Sequence, residues 1–456
     1  MYFAFTTCSN NDDVRAPRVG NIHDPAFEQA LIDLGYDDVL DGKLLMANVA
    51  DVLELSVPNY FTQNIITDLK GIEYFSALEI LNCNGQSITF LDLSNNLNLK
   101  ELDCGYNQNL SMLNINDNTA LEILKCHGNA ISSLNINNKL DLKELYTYDN
   151  QISNLDVSNN LDLKIIWCYN NPISSLDVGN NINLEVLDCR WLDLTSLDVS
   201  NNINLKKLLF WDNEISNIDV SNNLALEILD CKDNKLTSLD VSNNLALEGL
   251  GCNGNQLTSL DIGNNIALKS LGCEANPLNN IDISNNLALE VFSFGNSPIN
   301  NIDLSNNTAL TYLSCYNTPI TSLDISNNIA LELLLCNGNQ QLTSLDVSNN
   351  TQLVWLQCFD NGLTSLDVSE LNKLNRLECY NNEITNLNLE SNSDLVSLNC
   401  SSNLLGSLDV SYNFNLSVLD CTSNNLICIQ VNNAQLNNIP PDWYKDDFAT
   451  YSASCE

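Results

Sequence analysis

Apolar residues recur along most of this chain with a long period that matches neither a helix nor a plain alternating strand. Leu226 to Ala246 reads LEILDCKDNKLTSLDVSNNLA, and the next 21 residues read LEGLGCNGNQLTSLDIGNNIA. The position of Cys231 returns from Cys83 to Cys421 in 17 rungs, 14 of them cysteine, with Thr147, Phe210 and Phe294 in the other three. The step is 21 residues except for two steps of 22, each with one extra residue just after the Asn, at Gln108 and at Gln340 or Gln341. A fixed period of this length predicts a solenoid, in which one supersecondary unit stacks on the next and no unit buries its apolar side alone.

Within one rung the pattern assigns the elements. Leu226, Leu229, Cys231, Leu236, Leu239 and Val241 are predicted to point inward. Leu229-Asp230-Cys231 alternates in, out, in, as a short parallel strand does. Leu239-Asp240-Val241 alternates likewise and predicts a second extended segment on the opposite side. Asn234 lies between them, and 13 of the 17 rungs carry Asn there. A buried amide satisfies backbone N–H and C=O groups where the chain turns, which an apolar side chain cannot do. Ser-Asn-Asn in the second half reads as turn chemistry.

The string LxxLxCxxNxL is the leucine-rich-repeat signature, with Cys at the last strand position. The form ending in LDVSNN resembles repeats of flavobacterial secreted and surface proteins, and is similar to the internalin type of bacterial repeat. The match spans about residues 66–427. It implies a leucine-rich-repeat solenoid with a concave parallel β-sheet, extended segments on the opposite side and a short helical N-terminal cap. For function it implies a binding surface and no particular partner.

Four segments follow: 1–20 as a lipoprotein-signal remnant or disordered tether, 21–77 as N-terminal cap and first internalin-like repeat, 78–427 as the solenoid, and 428–456 as C-terminal cap. Asp24-Pro25 is predicted to start a helix, with Phe27, Ala30, Leu31 and Leu34 at helical spacing and Gly35 at its end. The C-terminal segment resembles the closing cap of the same proteins, and Cys428 and Cys455, outside the register, are read as a disulfide in an oxidising compartment. Ala4 to Cys8 followed by SNNDD resembles the end of a bacterial lipoprotein signal, which would lipidate Cys8. Phe5 and Thr7 depart from that pattern, and the expectation is that the natural start lies upstream. The alternative is a plain disordered tail.

Charge narrows the partners. With 18 Lys+Arg against 57 Asp+Glu the net charge is −39, which disfavours nucleic acid and anionic membranes and suits cationic partners. Two histidines, His23 and His127, leave little imidazole chemistry, and no metal site is expected. The inward cysteines read as small buried hydrophobes, since Thr and Phe replace them. The outward Asp column, including Asp219, Asp240 and Asp261, reads as side chains accepting from their own Ser-Asn-Asn turns. A row of calcium ions is the sharper alternative, and otherwise no cofactor is expected. The loop Asp37, Asp38, Asp41, Gly42 lacks EF-hand spacing. A Ser/Thr stripe, interrupted at Asn279 and Asn300, is accounted for by turn chemistry.

The repeat breaks most sharply on the sheet, at positions flanking the Cys. There Tyr146, Tyr148, Trp167, Tyr169, Arg190, Trp191 and Trp211 replace the usual Asp, Gly, Ser or Asn, as at Gly251, Asn253 and Gly272. A looser set comprises Tyr312, Tyr316, Trp355, Phe359 and Tyr380. Exposed aromatics stack on sugar rings or anchor protein partners, although they also favour strands for their own sake. Nothing supplies a nucleophile–base or carboxylate pair in a cleft, so an enzyme is not expected. The expectation is a monomeric, non-enzymatic scaffold at the cell surface or secreted, as an outer-membrane lipoprotein if Cys8 is lipidated, that binds a protein or carbohydrate ligand. The rival is an adhesion spacer without a dedicated ligand.

Overall fold

A computed structural model describes residues 18–59 and 64–455. The chain forms two compact units, Met1–Leu163 and Lys164–Glu456. Cys8 and the signal-like segment lie outside the described residues.

The first unit opens with its cap. Helix Pro25–Asp33 is N-capped by Asp24, whose Oδ1 accepts from the N–H groups of Ala26 (2.8 Å) and Phe27 (3.2 Å). Its Oδ2 accepts from the Thr67 N–H (2.6 Å) and hydroxyl (2.7 Å), tying the helix to the first repeat. Burial acts to raise the Asp24 carboxyl, but the bonds from Thr67, Phe27 and Ala26 outweigh it and hold it below its ordinary value. Phe27 and Leu31 are buried as the spacing predicts, whereas Leu34 is exposed because it is already the C-cap. Buried Glu28 organises the aspartate-rich loop: its Oε1 accepts from the N–H of Asp41 (2.9 Å), Gly42 (2.6 Å) and Lys43 (3.3 Å). Strand Val19–Asn21 pairs antiparallel with Lys43–Leu45.

Parallel strands follow in this unit at Glu54–Ser56, Ile80–Asn82, Glu101–Asp103, Ile123–Lys125 and Glu144–Tyr146. In the second unit strands run from Ile165–Trp167 to Val418–Asp420, one per rung, closed by Asp442–Tyr444 of the C-terminal cap. Pairing is in strict register, for example Leu229 opposite Leu250. Each strand ends one residue before the Cys, earlier than the alternation places it, though the Cys231 N–H still donates to Gly251 O at 2.8 Å. The second extended segment is buried at Leu239 and Val241; among the described residues it forms ladders at Phe90–Asp92 with Met112–Asn114 and at Leu408–Asp409, Cys428–Gln430 and Thr450–Ser452. Cys428 and Cys455 are bonded across this last sheet, Cα atoms 5.8 Å apart.

The core is the predicted apolar set: Leu226, Leu229, Cys231, Leu236 and Val241 have no exposed surface. All fourteen column cysteines are buried thiols, and burial pushes them far from reactivity, Cys252 to about 12. Two amide columns hold the turns. Asn234 donates to Cys231 O (3.2 Å) and to Phe210 O of the preceding rung (3.1 Å), and its Oδ1 accepts from the Ile215 N–H (3.1 Å). Asn244, which the Ser-Asn-Asn motif presents as an ordinary turn residue, is completely buried and donates to Val220 O (3.0 Å) and Asn223 O (2.9 Å). The residue two after each Cys adopts the left-handed conformation, as at Asp212, Asp233 and Trp191. No helix among the described residues is long and apolar enough to cross a membrane.

Candidate functional site

The outward positions beside the Cys column form the sheet face, and here side chains from different rungs meet. In the second unit Arg190 is the hub. Its Nε and Nη2 donate to the two oxygens of Asp188, both at 2.6 Å, and Asp188 lies almost wholly out of solvent. Burial pushes the Asp188 carboxyl up, while the Arg190 guanidinium pulls it back and is itself raised by the carboxylate. The fork fixes the guanidinium plane. Tyr169 lies 4.7 Å from it, Trp211 5.2 Å and Trp191 5.8 Å.

Trp191 occupies the left-handed turn position, φ 51°, where most other rungs place Asp, Asn, Ser or Gly and only Tyr106 is comparably bulky. A bulky residue there is strained unless its surroundings hold it. Its indole N–H donates to Asp212 Oδ2 at 2.8 Å and its ring meets Trp211 edge-on at 4.3 Å, leaving 44% of it exposed. Tyr169 lies 6.3 Å from it. Four of the predicted residues are therefore brought together: Tyr169, Arg190, Trp191 and Trp211. Trp167 is half-buried on the neighbouring strand.

Tyr146 and Tyr148 belong to the first unit. Tyr146 donates its hydroxyl to Glu144 Oε2 (2.9 Å) under the Lys125 ammonium, 5.7 Å from the ring. Tyr148 stacks on His127 at 4.4 Å, and Tyr106 closes the other face of that imidazole edge-on at 4.8 Å. Gly105 and Gly128 make the stack fit, since a Cβ on Gly105 would lie 2.7 Å from the imidazole and one on Gly128 would lie 2.5 Å from the Tyr106 ring. Burial lowers the His127 pKa, with Asp103 opposing. The sequence counts His127 only as one of two histidines and does not single out Tyr106. They lie 21 residues apart, but the residue inserted at Gln108 puts them at different places in the rung, Tyr106 two after Cys104 and His127 one after Cys126.

The second predicted set separates into pieces. Phe359 and Tyr380 stack at 4.3 Å, and Trp355 packs under Arg376 at 4.6 Å. Tyr312 and Tyr316 share a rung, and the Tyr316 hydroxyl donates to Glu274 Oε2 at 3.5 Å. On the Asp column, the Ser242 N–H donates to Asp240 Oδ1 (2.9 Å) and the Ser221 N–H to Asp219 Oδ1 (2.9 Å). Bonds from the serines lower both carboxyls.

These features define the fold class as a leucine-rich-repeat solenoid. No protein-family model matches the sequence, and no curated protein matches it. Among solved structures, the functional domain of InlJ from Listeria monocytogenes, described as including a cysteine ladder, is similar over 88% of this chain and 79% of that one, with 29% identity and TM-score 0.64. A leucine-rich-repeat protein of Leptospira interrogans matches over 88% of this chain and 97% of its own, with 21% identity and TM-score 0.61. A plant peptide hormone receptor, solved in complex with a partner, matches over 84% of each chain at 18% identity and TM-score 0.55. The last two speak to fold alone.

Proposed function

We propose that the protein is a non-enzymatic extracytoplasmic scaffold that captures a protein partner on its sheet face, centred on Tyr169, Arg190, Trp191 and Trp211. The observation that carries this is the Arg190–Asp188 fork, which locks a guanidinium against three aromatic rings. Side chains already held in place lose little entropy on binding, and Trp, Tyr and Arg dominate binding hot spots. The Cys428–Cys455 bond favours an oxidising compartment. Lipidation of Cys8 would tether such a scaffold to a membrane.

The test is crosslinked pull-down from the native surface milieu beside a glycan array, comparing wild type with Trp191→Ala and Trp211→Ala. A protein partner should be retained by wild type and bound at least about tenfold more weakly by the variants, with circular dichroism unchanged. Undiminished capture by both variants rejects the aromatic site. Absence of any ligand for wild type favours the spacer reading.

A further inference from the structure

Beyond the aromatic hub, the same sheet face drops into a groove of about 370 Å³ floored by Gly249, Gly251, Ser270 and Gly272. These are rungs whose residues the repeat pattern marks as unremarkable. None of the three glycines has a positive φ, so their role here is space rather than backbone freedom. A Cβ on Gly251 would lie 2.7 Å from Asp230 Oδ1 and 2.6 Å from Lys232 Cε, and one on Gly272 would overlap Asn253 Oδ1. Small residues therefore let the neighbouring rungs' polar side chains lie down along the floor. Ile228 and Val291 bound the hollow on opposite sides, with Gly249 and Ser270 between them in register.

Beside the groove, joined to it through two of its lining residues, lies an organised carboxylate. Glu274 accepts from Asn253 Nδ2 (3.2 Å), Ser314 Oγ (3.3 Å), Tyr316 Oη (3.5 Å) and Ser293 Oγ. All four are neutral donors, and Asn253 and Ser293 also line the groove. The Lys232 ammonium on this surface is already 3.2 Å from Asp230 Oδ2. Glu274 thus presents a negative charge that no cation answers among the described residues, beside a hollow flanked by apolar side chains, on a chain of net charge −39. Two independent features, the hollow and the oriented carboxylate, select the same ligand.

We infer that this groove seats a basic segment of a protein partner, an Arg or Lys reaching Glu274 while a neighbouring aliphatic side chain fills the hollow over Gly249 and Ser270, between Ile228 and Val291. The inference rests on the reading of the sheet face as a protein-binding surface and adds the chemistry of the partner.

The experiment pans a random-peptide phage library on the full chain and measures the affinity of synthetic copies of the selected peptides. Gly249→Leu fills the hollow without strain, since a Cβ there meets only Ile228 Cγ1 at 3.9 Å. Glu274→Gln removes the charge and keeps the shape. The expected result is enrichment of Arg or Lys next to an aliphatic residue, with affinity falling at least about tenfold in both variants and holding in Trp191→Ala. Matching thermal melts confirm that the variants fold. Selection of acidic or uncharged peptides, or binding indifferent to Gly249→Leu and Glu274→Gln, overturns the inference. Peptides lost in Trp191→Ala but kept in Gly249→Leu overturn it while leaving the aromatic site standing.

Discussion

Lys139 shows most directly what one column position demands. It occupies the place that Asn118 and Asn160 fill in adjacent rungs, and it has no exposed surface. Asn160 donates to two carbonyls, Ile136 O (2.9 Å) and Lys139 O (2.8 Å). The Lys139 ammonium instead reaches Asn138 Oδ1 (2.5 Å) and, at 3.4 Å, Asn116 O. Burial lowers its pKa, with Asp117 opposing. Between that lowered value and the ordinary 10.5 the unfolded chain binds more protons than the folded one, so the ammonium costs stability at neutral pH and the cost fades as pH rises. Lys139→Asn should stabilise the protein at pH 7 by about 1 kcal/mol, the scale of one restored buried hydrogen bond. The gain should shrink as pH climbs towards 10.5. Denaturant melts of both proteins across that range measure it, and a pH-independent difference would remove desolvation as the cause.

At the scale of elements, the caps do what stacked rungs cannot, since each end of a solenoid exposes strand edges. The C-terminal cap adds Asp442–Tyr444 to one sheet and Thr450–Ser452 to the other, and the Cys428–Cys455 bond pins the latter. With the cysteines 27 residues apart in sequence, chain-entropy reasoning assigns the crosslink about 3–4 kcal/mol. Cys455→Ser should therefore lower stability, with amide exchange accelerating first in Thr450–Ser452. Uniform acceleration through the whole chain would mean that the cap does not open separately. Much of this level was legible beforehand. The period placed the strands to within a residue, and Asp24-Pro25 marked the capped helix. What stayed hidden depends on contacts between rungs. Asn244 reads as a turn residue because its burial comes from the rung stacked on it, and Arg190 reads as one more member of the aromatic patch until the strand brings Asp188 into a fork with it. Gly251 and Gly272 look featureless because a hollow is defined by its neighbours.

For the whole molecule the dominant quantity is charge, −39 in 456 residues, much of it in regular columns. Asp219, Asp240 and Asp261 recur once per rung, and carboxylates at the ~4.8 Å strand spacing repel by roughly 0.9 kcal/mol per pair even in water. Each is held by its own turn: the Gly263 N–H donates to Asp261 Oδ1 at 3.0 Å, as Ser242 does to Asp240. The cross-rung pairs Lys206–Glu185 (2.7 Å) and Lys269–Glu248 (2.9 Å) are solvent-exposed and contribute little against this excess. Screening should therefore stabilise the protein. Raising sodium chloride from dilute buffer to molar levels should move the melting temperature upward by a few degrees, because like-charge repulsion outweighs the ion pairs that salt also weakens. Calcium chloride at matched ionic strength distinguishes screening from coordination. With one oxygen of each carboxylate committed to a turn N–H, the expected shift equals that of sodium. An additional rise with calcium, saturating at millimolar concentration and reversed by chelation, would instead place bound ions along the column.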